Sequence, residues 1–396
     1  MSIDTQIRAV SRTSSHQPSR QATTDGQAMP LPCFQPTTTH PVTFSVIMPT
    51  VFWSGTFERC ARRVLSLMAD APSHIEIVFV FDGDAPPAPA WLDQPGVTIV
   101  TTGVRSGPAV SRNLGARSAR GEILFFVDAD VELAPDAIEC VQAAFDADHD
   151  LVGLFGTYDD EPASDGAASM FRNLLHHHTH VSNPGKAGTF WSGCGVIRTA
   201  AFLDVGGFDE KYAIPSVEDI ELGMRITANG GRIVRAPKLL CKHLKRWTVA
   251  SMVITDIMHR ARPWTHLVMN SRKLPASLTL DWRARLSGLC SIVLAGCLAA
   301  AAFTPIALWI ALSCGLALVQ LNSDFYRLCL RKRGLGFAFS AAALHWLYFV
   351  YSSLTCAVAA AETLVVERCK SLMGRVQPPA ANRATARAYK LSPARS

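Results

Sequence analysis

"GEILFFVDADVEL", residues 121–133, decides the fold. Its apolar run from Ile123 to Val127 is short for a helix and suits a strand buried on both faces, as a parallel sheet requires. The run stops at two carboxylates, Asp128 and Asp130, separated by one alanine. Upstream, "VTFSVIMPT" (42–50), "IEIVFVFDG" (75–83) and "VTIVTTG" (97–103) read as three more strands, the first ended by Pro49 and the second by Asp82. "FERCARRVLSLMA" (57–69) carries apolar residues at helical spacing, and "GPAVSRNLGARSA" (107–119) reads as a helix entered from a Gly-Pro turn. Strand, helix, strand, short strand, helix, strand is the rhythm of an open, mainly parallel α/β sheet. Such sheets bind ligands at the carboxyl ends of their strands. A single acid at a strand end is usually a helix cap or a turn residue. Asp82, Asp128 and Asp130 together point instead to a binding site, because a desolvated carboxylate without a partner is costly.

The chain has 396 residues, 49% of them hydrophobic, which excludes a disordered protein and allows more than one core. The excess sits near the C-terminus. Residues 286–321 and 335–361 contain no Asp, Glu, Lys or Arg. A membrane-spanning helix needs about 20 apolar residues, so each run is long enough to cross a bilayer. Pro305 divides the first and marks a tight connection or a kink. Basic residues cluster beside these runs, in Cys241–Arg285, in "RLCLRKRG" (327–334) and after Cys369, where spans meet anionic headgroups on the cytoplasmic side. No stacking platform accompanies them, so nucleic acid is not the expected partner. The 11 cysteines are scattered without a CxxC pair and fit a reducing compartment better than a disulfide framework.

Five pieces in order bring the chain close to a known family: "SVIMPT", "VFDGD", "SGPAVSRNLGARSARGEILFFVDADVEL", "FWSGCGVIRTAAFLDVGGFDE" and "SVEDIELGMRITANGG". Over residues 43–247 the chain resembles the family-2 glycosyltransferases of GT-A fold. The resemblance implies an α/β fold, a Rossmann-like GT-A nucleotide-diphospho-sugar transferase domain, followed here by C-terminal transmembrane helices. It implies that Asp82 holds the base or ribose of a nucleotide-sugar donor, with a weak preference for UDP. Asp128 would contact the ribose, and Asp130 would ligate Mg2+ or Mn2+ on the diphosphate, a hard cation matched to oxygen ligands. Arg112 and Asn113 would face the nucleotide, and Gly193 and Gly195 of "SGCG" would let the donor sugar approach closely. Asp219 would be the general base of an inverting displacement, with Glu218 positioning acceptor or base. A purely structural role for that ED pair, on a helix capped by Ser216, stays open.

Many GT-A enzymes add a metal-ligating histidine after the ED motif, which His243 matches. "HLKRW" (243–247) resembles the QxxRW motif of processive polysaccharide synthases with His in place of Gln, putting Arg246 and Trp247 on the acceptor side. Trp191 is an acceptor-side candidate or a core residue. The tract "LLHHHTH" (174–180) reads as a surface or acceptor-side loop rather than a metal site. Five segments are therefore expected: a disordered leader (1–41), the catalytic domain (42–245), an amphipathic interfacial segment (246–285), two or three transmembrane helices (286–366) and a basic disordered tail (367–396). The expected function is transfer of a sugar to a membrane-associated, lipid acceptor by a multi-pass inner-membrane protein with its catalytic domain in the cytoplasm. A short-chain polysaccharide synthase and a non-catalytic scaffold on the same fold are the alternatives.

Overall fold

The computed structural model describes residues 43–70, 74–271 and 281–375. The leader, the end of the tail and part of the interfacial segment lie outside these residues. The elements run β1 (Phe44–Thr50), α1 (Gly55–Asp70), β2 (Ile75–Phe81), β3 (Val97–Thr101), α2 (Pro108–Ser118), β4 (Ile123–Val127), β5 (Val131–Leu133), α3 (Ala137–Ala147), β6 (Leu151–Tyr158) and α4 (Ala167–Val181). After them come β7 (Gly185–Ala187), β8 (Cys194–Arg198), α5 (Thr199–Asp204), α6 (Glu218–Ala228), β9 (Arg232–His243) and α7 (Val249–Thr255). A π-helical turn (Asp256–Ala261) joins α7 to α8 (Arg262–Asn270), and α9 (Trp282–Ala300), α10 (Ile306–Leu321) and α11 (Ser323–Arg375) are the last elements among the described residues.

One sheet of nine strands has the order β3-β2-β1-β4-β8-β6-β9-β5, with β7 paired to β9. β3, β2, β1 and β4 are parallel, as the sequence predicts, and β8 reverses the direction beside β4. Period-2 alternation explains why these strands are apolar throughout. On β4, Ile123, Phe125 and Val127 enter the core beneath α1 and α3, while Leu124 and Phe126 enter the core beneath α2 and α5. On β2, Ile77 and Phe79 face the first core and Val78 and Val80 the second. A strand with helices on both faces has no side left for polar residues.

Pro49 does not end β1. The strand continues to Thr50, and Pro49 pairs with Val80 of β2. Pairing with β4 has already stopped at Ile47, so the missing N–H leaves no ladder bond unmade on that side.

Among the described residues, two helices are long and apolar enough to cross a membrane, α9 and the 323–370 part of α11. Pro305 makes the connection between α9 and the shorter apolar α10. α11 is broken at Gly334, whose φ of 79° is a left-handed conformation that glycine adopts without strain. The segment expected to be a disordered tail is helical as far as Arg375. The expected boundary after residue 245 cuts through a third core, in which Trp247 and Met252 pack with Phe171 and Leu174 of α4 and Phe325 and Cys329 of α11.

Candidate active site

The carboxyl ends of β2 and β4, the turn before β8 and the start of α6 converge. Asp82, just past β2, accepts hydrogen bonds from the backbone N–H of Ser106 (2.7 Å) and Gly107 (3.1 Å) and from the Thr102 hydroxyl (3.2 Å). It thereby fixes the loop that leads into α2, where Gly107 has a φ of 93°.

Arg112, on α2, is the centre of the site. One guanidinium nitrogen donates to Asp128 at 2.8 Å and another to Glu218 at 2.8 Å. The side chain is 7% exposed. Burial works against its charge, but Asp128, Glu218 and Asp219 outweigh it and hold the guanidinium above its ordinary pKa. Stripping water from an ion costs several kcal/mol, which such pairing must offset. One cation thus ties the DxD of β4 to the ED of α6.

Asp219 accepts from the Ser192 N–H at 3.1 Å and from its own neighbour Ile220 at 2.7 Å. Burial and the adjacent Glu218 charge push its pKa up to about 7, against the pull of Arg112 and the two N–H donors. A carboxyl poised there is matched to proton abstraction near neutral pH. The Ser192 bond also draws α6 to the 191–193 turn, and the N–H of Asp128 donates to the Gly193 carbonyl at 3.2 Å. DxD, ED and glycine turn are therefore one unit.

Asp130 follows in the turn between β4 and β5, and Nε2 of His243, at the end of β9, lies 3.5 Å from its carboxylate. Burial works against the Asp130 charge, yet the imidazole and Lys245 hold its pKa below the usual value. Carboxylate oxygen suits Mn2+ or Mg2+, and an imidazole nitrogen beside it favours Mn2+, the softer of the two. Among the described residues no three His, Cys, Asp or Glu groups gather into a closed metal cage. The pair therefore fits a cation that takes its remaining ligands from a bound diphosphate or water.

The profile of Glycosyl transferase family 2 matches residues 45–206, and one described as the N-terminal domain of galactosyltransferase matches 172–248. The chain carries a glycosyl transferase family 2 domain. Putative polypeptide N-acetylgalactosaminyltransferase 10 of Caenorhabditis briggsae is 26% identical over 241 residues, 52% of this chain and 38% of the relative. The O-antigen biosynthesis protein RfbC of Myxococcus xanthus is 26% identical over 191 residues, 41% of this chain and 14% of the relative. The chain thus spans less than half the length of these curated relatives. The mannosyltransferase PcManGT of Pyrobaculum calidifontis, solved with GDP-Man and Mn2+, is 18% identical with a TM-score of 0.49, over 82% of this chain and 88% of that one.

Several candidate residues are held by contacts that the sequence does not announce. Asn113 turns away from the cleft and spends its amide on the Phe208 carbonyl and N–H, both at 2.9 Å. Gly193 and Gly195 are required by their own neighbours. A Cβ on Gly193 would meet the Trp191 ring at 2.6 Å, and one on Gly195 the Phe190 ring at 2.5 Å. Ser216 does not cap α6. Val217 holds that position, and Glu218 accepts from the Ser216 N–H at 2.8 Å.

Trp247 is not presented to an acceptor. It is 6% exposed, its backbone N–H donates to the Ser169 hydroxyl at 2.7 Å, and residues 244–248 form an irregular link rather than an interfacial helix. Arg246 beside it is exposed. The histidine tract is no loop: it lies on α4, where His177 and His180 bond the carbonyls of Tyr158 and Gly156. Trp191 is half-buried against Tyr158 and His176, with ring centroids at 5.1 and 4.5 Å. Tyr158 does not stand out in the sequence, and His176 does so only as part of the tract. Met170, Phe171, Leu174 and Leu175 are the signal that would have placed the tract on a helix.

Proposed function

We propose that this chain is a metal-dependent, inverting glycosyltransferase that moves a sugar from a nucleotide-sugar donor to a membrane-associated lipid acceptor at the cytoplasmic face. The Arg112 bridge carries the reading, because it joins Asp128, which would face the donor, to Glu218, the neighbour of the acid that would face the acceptor. Asp82 and Asp128 would receive the nucleoside. Asp130 and His243 would hold the divalent cation, which neutralises charge on the departing diphosphate. Asp219 would take the proton of the acceptor hydroxyl as that oxygen attacks the anomeric carbon, and Glu218, through Arg112 and its own charge, would set how readily it does so.

The lipid part of the reading rests on α9 and α11 and on outward apolar side chains of this region, among them Leu289 on α9, Trp309 on α10 and Phe339 on α11. A polypeptide acceptor is the second reading, favoured by the matched N-acetylgalactosaminyltransferase.

The test is turnover of a nucleotide-sugar panel by the full chain in detergent, with Mn2+ or Mg2+, with lipid extract or peptides as acceptor. Nucleoside diphosphate released from one donor, dependent on metal and lost in Asp130→Ala, is the expected result. The anomeric configuration of the product, read by NMR, decides inversion. No release from any donor under any condition sinks the reading.

The pH dependence follows from Asp219. A base must be deprotonated, so kcat/KM of the free enzyme rises with pH through about 7 and levels above it. Glu218→Gln removes the neighbouring negative charge, and the rising limb then moves to lower pH. A limb left in place by that change shows that another group titrates.

A further inference from the structure

His243 is the last residue of β9, and a ring at a strand end is free to rotate about its side-chain bonds unless something holds it. Here its face lies against Tyr158, the last residue of β6, with centroids 4.4 Å apart and planes 6° from parallel. His176 of α4 stacks on the same phenol at 4.0 Å and 29°. Two imidazoles that close to one ring can only lie on its opposite faces, so Tyr158 is the middle of a three-ring sandwich. The outer ring is held in turn. His176 meets His180 at 4.0 Å and Trp191 at 4.5 Å, and the neighbouring His177 bonds the Tyr158 carbonyl at 2.7 Å.

We propose that Tyr158 and His176 are positioning residues for the divalent cation, fixing the His243 ring so that its Nε2 stays beside Asp130. The proposal rests on the reading of Asp130 and His243 as the metal pair. Planar stacking restricts rotation of the imidazole about its long axis and leaves the edge that faces Asp130 free. Burial keeps the outer imidazole of His176 well below its usual pKa, so the sandwich adds no positive charge beside a dication. Groups that orient a ligating histidine typically alter metal affinity by about 10–100-fold when replaced.

The test is Mn2+ affinity of the full chain in detergent, read from the EPR signal of free Mn2+ during titration, with UDP and then GDP present. Tyr158→Ala is expected to weaken Mn2+ binding about 10-fold or more, and Tyr158→Phe, which keeps the flat ring, to restore it. His176→Leu keeps bulk without a flat face, and should weaken binding from the far side of the sandwich even where Tyr158→Ala fails to fold. His243→Ala is the reference. If His243→Ala weakens Mn2+ binding while Tyr158→Ala and His176→Leu do not, the positioning role is overturned and the metal pair stands. If His243→Ala leaves Mn2+ affinity unchanged, or the chain binds no Mn2+ with either nucleotide, the metal pair falls and the positioning role with it.

Discussion

Asp219→Asn should lower kcat by about 10²–10⁴-fold, the usual contribution of a positioned general base, while donor affinity changes by no more than a few-fold. The substitution keeps size and shape. Its amide oxygen can still accept from one of the two N–H groups, Ser192 or Ile220, that the carboxylate now satisfies. The other would face an NH2, and a donor left unpaired costs about 1–3 kcal/mol. That loss belongs to the 191–193 turn and should appear as a lower Tm. Turnover by product formation, donor binding by calorimetry and thermal unfolding separate the three effects. A scaffold on this fold would show the drop in Tm alone, and unchanged turnover would end the assignment of Asp219 as base.

The second large effect is on stability and lies far from the chemistry. Arg172 of α4 donates to both oxygens of Asp256, at 3.0 and 2.6 Å, and the Tyr351 hydroxyl of α11 donates to the same carboxylate at 2.6 Å. Asp256 opens the π-helical turn, a geometry often found where a helix carries a specific task. Its side chain is 3% exposed and that of Arg172 9%. Asp256→Ala leaves a guanidinium and a phenol without partners in a closed space, and should destabilise the chain by about 3–5 kcal/mol. Tyr351→Phe removes one hydrogen bond and should cost about 1.5–3 kcal/mol, because the acceptor is charged. Replacing both ions, Arg172→Met with Asp256→Leu, should recover most of the loss, since the pair itself contributes little net stability. Denaturant unfolding in detergent measures all three. A change below about 1 kcal/mol for Asp256→Ala would mean that water reaches the carboxylate and that the link is not structural.

The parts of the fold that were legible are those in which neighbouring residues carry the signal. β2 and β4 announce themselves because both faces are buried, and the acids after them stand out against that background. Asp219 and His243 were found through ordered motifs, and the structure brings each to the mouth of the same sheet. Most of what was missed depends on partners distant in sequence. Arg112 is separated by 106 residues from Glu218, and nothing local reveals that it bridges two motifs. Asn113 is adjacent to it, yet one step along a helix turns a side chain by about 100° to other partners. Trp247 was read as an acceptor-side residue because its core is assembled from α4 and α11, both distant in sequence. Its place between the DxD and the glycine turn suggested a loop for residues 174–180, although Met170, Phe171, Leu174 and Leu175 repeat with helical period. Pro49 was read as a stop, which holds for a strand paired through that position on both sides but not for this one.

Trp247 has a consequence for how such a protein can be inherited. Its indole belongs to a core built jointly by α4 and α11, so the catalytic sheet and the apolar helices are not separable modules. A recombination event that exchanged one for a homologous piece would have to match Phe171 and Leu174 to Phe325 and Cys329 across the new seam. Exchanging either side alone would leave that shared core mispacked.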